Sequence, residues 1–167
     1  QTCSEVDELM RVIQLRCELE SRSINNESAN LIAASFSFGS WVPSQDTIVN
    51  SLALDEQSNA IFRKGIIYPD QAVFLGGNPC FVSFEENVEE IIKAHYDEYG
   101  IYPSYYVHQG FGVYISELTS NSVIVMLRCH ADVLSRIDKY HEIKFLSSSQ
   151  VSELLDWDAE KYRQAME

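Results

Sequence analysis

The sequence predicts an α/β domain of three layers, with short helical additions at its N-terminus. Three observations lead to this fold class. Apolar side chains recur at helical spacing within residues 1–60, whereas residues 61–167 contain short apolar segments bounded by Gly, Pro and Asn. Two longer amphipathic segments, 87–99 and 119–140, alternate with these short segments. Alternation of strands and helices is typical of α/β proteins, so we divide the chain into a helical N-terminal segment, 1–60, and an α/β domain, 61–167.

The composition indicates one folded domain that does not bind polyanions. The chain has 167 residues, of which 46% are hydrophobic, and this length is enough to bury a core. Lys and Arg number 12 against 25 Asp and Glu, which gives a net charge of −13, and no basic cluster stands out. A phosphate backbone or an anionic bilayer needs concentrated positive charge. We therefore expect neither nucleic acid nor a membrane as a partner.

The cysteines and the N-terminus indicate a cytoplasmic protein. The four cysteines are scattered without a C-x-x-C pair, as reduced and mostly buried thiols are; they are Cys3, Cys17, Cys80 and Cys129. No apolar run approaches the roughly 18 residues of a membrane helix, and no signal peptide is visible. The sequence lacks an initiator Met and enters a predicted helix almost at once, which is typical of a fragment.

The first part of the chain reads as a set of short helices. Thr2-x-x-Glu5 has the spacing of a capping box, and the apolar residues that follow predict a helix over 4–21. The stretch 28–38 fits a helix or a strand equally well by periodicity. After Pro43, polar capping residues start a helix that runs to Leu54, and one or two further turns follow before Gly65.

The remainder of the chain predicts four strands and three helices. The strands are expected near 72–75, 80–83, 105–107 and 111–115, and the first two form a hairpin across Gly76-Gly77-Asn78-Pro79. The helices are 87–99, which Gly100 ends, 119–140, and a terminal one after the capping box Ser147-x-x-Gln150.

Polar residues at the two ends of the predicted hairpin are the first candidates for a ligand site. Asp70 and Gln71 precede its first strand and Asn78 lies in its turn, so a small polar site could form at either end. The alternative is purely structural, since Asp caps turns and Gly, Asn and Pro are ordinary loop residues.

A second candidate is His108-Gln109-Gly110, which interrupts an apolar segment. A polar pair and a glycine inside a buried strand cost stability unless the local geometry needs them, and glycine lets the backbone approach a ligand closely. The alternative is a bulge or a turn at the end of the strand.

The chain offers no metal motif and no catalytic residue that we would assign. None of the four histidines has a second His or a Cys two to four residues further on. His130 lies on the apolar side of its helix, so we expect a hydrogen-bonded core histidine there. An independent enzyme that uses an acidic pair such as Asp70 and Glu160 is the least favoured reading, because nothing local places the two together.

Three segments, taken together, resemble the C-terminal region of long class II aldolase-like proteins of the rhamnulose-phosphate-aldolase type. They are Tyr-Pro-Asp-Gln-Ala-Val-Phe-Leu-Gly at 68–76 with the Asn-Pro-Cys-Phe-Val that follows, Gly-Phe-Gly-Val-Tyr at 110–114, and Trp-Asp-Ala-Glu-Lys-Tyr-Arg-Gln at 157–164. The resemblance covers roughly residues 45–167, in order.

The resemblance implies a zinc-dependent aldolase domain that precedes this region. In that family histidines, including a His-x-His pair, hold the zinc in the aldolase domain, and a late strand supplies a His-Gly pair. This chain has no His-x-His, and Gln109 precedes Gly110, with His108 turned to the opposite face of a strand. We therefore assign no metal ligand and no cofactor to this chain and expect zinc in the parent aldolase domain.

The leading hypothesis is thus a C-terminal domain that aids aldol cleavage of a phosphorylated sugar by an N-terminal aldolase domain. Its expected partners are that domain, a sugar phosphate and further copies of the chain, and its candidate ligand-binding residues are Asp70, Gln71, Asn78, His108 and Gln109. The alternative is a stand-alone non-catalytic module that binds a small metabolite or a protein partner.

Overall fold

The computed structural model describes residues 33–137 and 142–156. Within them, five strands form one mixed sheet: β1 (Ala34–Phe36), β2 (Gly39–Pro43), β3 (Cys80–Val82), β4 (Tyr105–His108) and β5 (Gly112–Ser116). Their order is β1-β2-β5-β4-β3, and only β3 and β4 are parallel. Six helices accompany the sheet: α1 (Thr47–Leu54), α2 (Glu56–Lys64), α3 (Pro69–Leu75), α4 (Val88–Tyr99), α5 (Asn121–Arg136) and α6 (Ser148–Asp156). The predicted α/β class is confirmed at this level.

Several predicted helices are confirmed, and side chains or glycine cap their ends. The Asp46 side chain accepts hydrogen bonds from the first turn of α1, and Asn87 does the same for α4. Gly100 ends α4 in the left-handed conformation, with φ of 75°. Ser147 and Gln150 exchange the two hydrogen bonds of a capping box at the start of α6. The strands predicted near 80–83, 105–107 and 111–115 are β3, β4 and β5.

The predicted hairpin over 72–83 is wrong, because its first half is the helix α3. Pro69 occupies the first turn of α3, where its missing N–H costs nothing, and Gly76 follows the helix with a φ of 83°. Ala72 and Leu75, three residues apart, are both buried. Helical spacing therefore buries the apolar residues that a strand would have divided between two faces. β3 instead pairs with β4, whose residues come 26 positions later in the chain, Cys80 opposite Tyr106.

The strands β1 and β2 lie within the segment 1–60 that we expect to be helical; of this segment, the stretch 28–38 fitted a helix or a strand equally well. β1 and β2 make a tight antiparallel pair, and β2 continues the sheet alongside β5. Aromatic side chains explain the choice: Trp41 is buried against the rings of Phe36, Phe38 and Tyr106, and strands favour such cross-strand aromatic packing. The predicted helix over 4–21 and the motif at 157–164 lie outside the described residues.

Two apolar clusters pack on the sheet, and alternate residues of β4 enter different clusters. Tyr105 and Val107 belong to a cluster that includes buried side chains of α1, α2 and α5. Tyr106, between them, belongs to a second cluster with Trp41 and with Ile92 of α4. Because successive side chains of a strand point to opposite faces, α4 packs on the sheet face opposite to α1, α2 and α5.

No helix in the described part of the chain combines the length and the apolar character that crossing a membrane requires.

Candidate functional site

A groove of about 470 Å³ lies where β3 and β4 begin. The loop 76–79, between α3 and β3, forms one rim, and the loop 100–104, between α4 and β4, forms the other. His95 and Tyr99 of α4 line it between the rims, and Leu155 of α6 contributes from outside the sheet. None of the described residues that line the groove is Asp, Glu, Lys or Arg.

The first rim is fixed by glycines and by α6. Gly76 has a φ of 83°, a conformation that glycine adopts without strain. A Cβ at Gly77 would lie 2.8 Å from Cγ1 of Val151 and 3.3 Å from Cδ1 of Leu155. The helix α6 therefore packs directly on the backbone of this loop, which only the absence of a side chain at Gly77 permits.

The second rim is fixed by stacked rings and by buried hydrogen bonds. The Tyr102 ring stacks between Phe38, at 5.0 Å, and Tyr96, at 4.4 Å. The Trp41 indole N–H donates to the carbonyl oxygen of Pro103 at 3.1 Å, and that nitrogen is buried. The rim thus joins the turn between β1 and β2 to α4, and its shape is set before any ligand binds.

His95 connects the two rims. Its Nδ1 lies 3.1 Å from the carbonyl oxygen of Ile101, and its Nε2 lies 3.1 Å from the carbonyl oxygen of Asn78. The Tyr99 ring packs beside the imidazole, with 4.8 Å between ring centroids. A backbone oxygen therefore lies within hydrogen-bond distance of each ring nitrogen, so His95 shapes the groove and offers no free nitrogen to a ligand or a metal.

Cys80 and Tyr105, the first residues of β3 and β4, form the floor of the groove and are uncharged at neutral pH. Burial raises the pKa of Cys80 to about 12, so its thiol stays protonated and is a poor nucleophile. Burial likewise raises the pKa of Tyr105, whose hydroxyl is buried without a hydrogen-bond partner among the described residues. The Tyr99 hydroxyl is bonded to the Glu98 carboxylate, and this hydrogen bond raises its pKa. These groups therefore present neutral donors, acceptors and ring surfaces to the groove.

The five predicted ligand residues do not come together. Asn78 alone lines the groove. Asp70 is exposed in the first turn of α3. Gln71 is buried, and its Oε1 accepts a hydrogen bond from the Ile67 backbone N–H at 2.9 Å. Gln71 therefore stabilises the start of α3.

His108 and Gln109 lie at the far end of β3 and β4, away from the groove. His108 pairs with Val82, the last residue of β3, whereas the groove lies before its first residue. The residues from Gln109 to Phe111 form the turn between β4 and β5, as the alternative interpretation held, and Gly110 adopts a φ of 80° there. A ligand role for His108 or Gln109 stays a prediction.

The environment of His108 is apolar. Its ring stacks on Phe111 at 4.3 Å, and burial lowers its pKa. Its Nε2 is buried and has no hydrogen-bond partner among the described residues. At this end of the sheet, a neutral histidine therefore lies against the ring of Phe111.

His130 confirms the expectation of a core histidine. Its Nδ1 shares a hydrogen bond of 2.9 Å with the Tyr68 hydroxyl, and its ring packs 6.1 Å from Phe62. The side chain is 1% exposed, and burial lowers its pKa to about 4. His130 is therefore neutral in the folded protein at ordinary pH.

The sequence interpretation missed His95, Tyr99 and Tyr102 as groove residues. The sequence contains a pattern that could have indicated them. Directly after His95, tyrosines recur at every third position on α4 and just beyond it: Tyr96, Tyr99 and Tyr102. His95 is partly buried between the rims.

Among residues 33–137 and 142–156, no three His, Cys, Asp or Glu side chains are placed so that they could hold a metal ion. Comparisons of the chain with protein-family models, with curated proteins and with solved structures gave no match.

Proposed function

We propose that this chain is the C-terminal domain of a class II aldolase-like protein of sugar metabolism, and that its groove is part of the sugar-binding wall. In this proposal an N-terminal aldolase domain carries the zinc and performs the aldol cleavage of a phosphorylated sugar. The chain supplies ligand contacts and packing, and the whole protein works in the cytoplasm. The resemblance of three sequence segments to that family motivates the parent activity, and the groove motivates the role of this chain.

The observation that carries the proposal is the uncharged, partly aromatic lining of the groove. Sugar hydroxyls need neutral hydrogen-bond partners, which the Asn78 amide, the tyrosine hydroxyls and the backbone of both rims can provide. Ring surfaces such as that of Tyr99 can pack against the apolar C–H groups of a sugar. A volume of about 470 Å³ is in the range of small-molecule sites.

The lining also favours the sugar over its phosphate. Protein sites hold phosphate with Arg, Lys or the N-terminus of a helix, and no described lining residue is Arg or Lys. We therefore propose that the phosphate is bound by the aldolase domain, and that this chain binds the end of the sugar that carries no charge.

The overall architecture that we propose is a three-layer α/β domain with helical N-terminal additions. The positions of the two apolar clusters on opposite faces of the sheet support the three layers. The predicted helix over 4–21 is the basis for the additions.

Calorimetric titration of the chain with a neutral ketose and with its phosphate tests the groove. We expect L-rhamnulose and L-rhamnulose 1-phosphate to bind with affinities within about threefold of each other, and Asn78→Ala to weaken both about fivefold, the effect of one lost hydrogen bond. Asn121→Ala, on the exposed first turn of α5, is the matched control and should bind as the wild type does. Binding of the phosphate alone, or equal losses in both variants, would contradict the proposal.

The stand-alone binding module is the second candidate, because the groove needs no other domain to form. An immunoblot of the source cells with antibodies to residues 1–167 separates the two. A band two or three times the 19.1 kDa of this chain supports the aldolase parent, and a band at 19.1 kDa supports the module.

A further inference from the structure

The position of His95 between the rims carries an inference about how the groove keeps its shape. The loops 76–79 and 100–104 have no strand pairing with each other, since one precedes β3 and the other precedes β4. The imidazole spans the gap, with 3.1 Å to the carbonyl oxygen of Asn78 on one side and 3.1 Å to that of Ile101 on the other. A single side chain therefore joins the two rims.

The chemistry of the two acceptors decides the protonation state in which both bonds form. A carbonyl oxygen can only accept a hydrogen bond, so each ring nitrogen must carry a hydrogen to bind it. Neutral imidazole has one N–H, whereas imidazolium has two. With a neutral ring, the lone pair of one nitrogen faces the lone pairs of a carbonyl oxygen, and that rim loses its bond.

We propose that His95 is the positioning residue of the groove and that its protonated form ties the two rims together, so that ligand binding strengthens as the pH falls. The ring takes no part in binding the ligand directly. The predicted effect on ligand binding rests on the proposed function of the groove, whereas the tie between the rims does not.

The described lining around His95 contains no Asp, Glu, Lys or Arg. On its own helix, the Glu98 carboxylate is bonded to the hydroxyl of Tyr99. The rim loops contribute Tyr102 as their titratable side chain, and α6 contributes Leu155 to the lining. At the floor, Cys80 and Tyr105 have raised pKa values and stay protonated. Among the described lining residues, His95 is the only imidazole.

Two-dimensional NMR of the ligand-free chain between pH 5 and 8 tests the tie. We expect the amide signals of Gly77 and Tyr102, one on each rim, to move together with a single midpoint that matches the His95 ring signals. In His95→Gln, which keeps an N–H donor but cannot gain a proton, both amides should stay constant. Asp97→Asn, an exposed change two residues along α4, is the matched control and should titrate as the wild type does.

Calorimetry at the two ends of the same pH range tests the effect on binding. We expect L-rhamnulose to bind about fivefold more tightly at pH 5.5 than at pH 8, the effect of one hydrogen bond that preorganises the site, and His95→Gln to remove this dependence. Rim amides that titrate in a chain that binds no sugar would overturn the proposed function and leave the tie standing. The tie would be overturned if the chain binds sugar while the amide signals of Gly77 and Tyr102 do not move with pH. It would also be overturned if these signals still move with pH in His95→Gln.

Discussion

The side-chain amide of Asn50 accepts the backbone hydrogen bond from Val113 that a neighbouring strand would otherwise accept. Its Oδ1 accepts the Val113 N–H at 2.9 Å, and its Nδ2 donates to the carbonyl oxygen of Ser44 at 2.9 Å. Ser44 in turn donates its N–H to the carbonyl oxygen of Val113 at 2.8 Å. Asn50 is 7% exposed, so these bonds lie in the interior. One amide on α1 thus ties that helix to the start of β5 and to the end of β2.

Replacing Asn50 by Leu should therefore lower the free energy of unfolding by about 2 to 4 kcal/mol. The change leaves one buried N–H and one buried carbonyl without partners, and each such group costs about 1–3 kcal/mol. Urea unfolding followed by circular dichroism measures it. Asn59→Leu is the graded comparison. Among the described residues the Asn59 side chain makes one hydrogen bond, to the carbonyl oxygen of Leu52, so this variant should lose about half as much. Equal losses in the two variants would contradict the assignment.

The buried histidine makes stability depend on pH in a predictable direction. The pKa of His130 is about 4 in the folded chain and about 6.5 when the chain unfolds, so the unfolded state binds more protons between these values. The neutral form therefore stabilises the folded chain above about pH 6.5, and this contribution is lost as the pH falls to 4. It amounts to about 3 kcal/mol.

Urea unfolding of the wild type and of His130→Gln between pH 4 and 7 isolates this contribution from that of the many carboxylates. Gln does not titrate and can still accept a hydrogen bond from the Tyr68 hydroxyl. We expect the wild type to lose about 3 kcal/mol more than the variant on going from pH 7 to pH 4. Parallel pH curves for the two proteins would show that His130 is not the group responsible.

Local signals in the sequence were sufficient where the structure is stabilised locally. Asp46, Asn87 and Gly100 mark helix ends by hydrogen bonds and dihedral angles that involve only their near neighbours. The helix α3 had such signals too, in Pro69 and Gly76, but we gave more weight to the β-forming residues Val and Phe between them. Seven residues are too few for periodicity to decide between helix and strand.

Contacts between distant segments explain the remaining errors. β2 is a strand because it pairs with β5, Trp41 opposite Ser116, which are 75 positions apart in the chain. The groove is likewise assembled from loops before β3 and β4, with His95 between them. The candidate residues came from two short stretches, 70–78 and 108–109. They therefore include Asn78, which lines the groove, but not the side chains of α4 that complete its lining.

The stack of Tyr102 between Phe38 and Tyr96 should couple these residues energetically. We expect Tyr102→Leu and Tyr96→Leu each to destabilise the chain and to show a coupling energy of about 0.5 to 1.5 kcal/mol in a double-mutant cycle, the usual range for stacked aromatic pairs. Their centroids are 4.4 Å apart. The pair Tyr102→Leu and Phe62→Leu is the control cycle, because Phe62 lies in the apolar cluster of α1, α2 and α5, to which Tyr102 does not belong, and its described ring contacts do not include Tyr102. A coupling near zero in the first cycle would show that the stack has little energetic value.

The contact between Gly77 and α6 predicts a clash that a second change relieves. In Gly77→Ala the new Cβ would lie 2.8 Å from Cγ1 of Val151, closer than side-chain carbons approach, so α6 must shift away from the rim. We expect a loss of about 1 to 3 kcal/mol in the free energy of unfolding, as for other overpacked sites. Val151→Ala removes that methyl group. The double variant should therefore be more stable than the sum of the single losses predicts, by about 1 kcal/mol. Strictly additive losses would mean that the Gly77 backbone and Val151 are not in contact, and that α6 does not hold this rim of the groove.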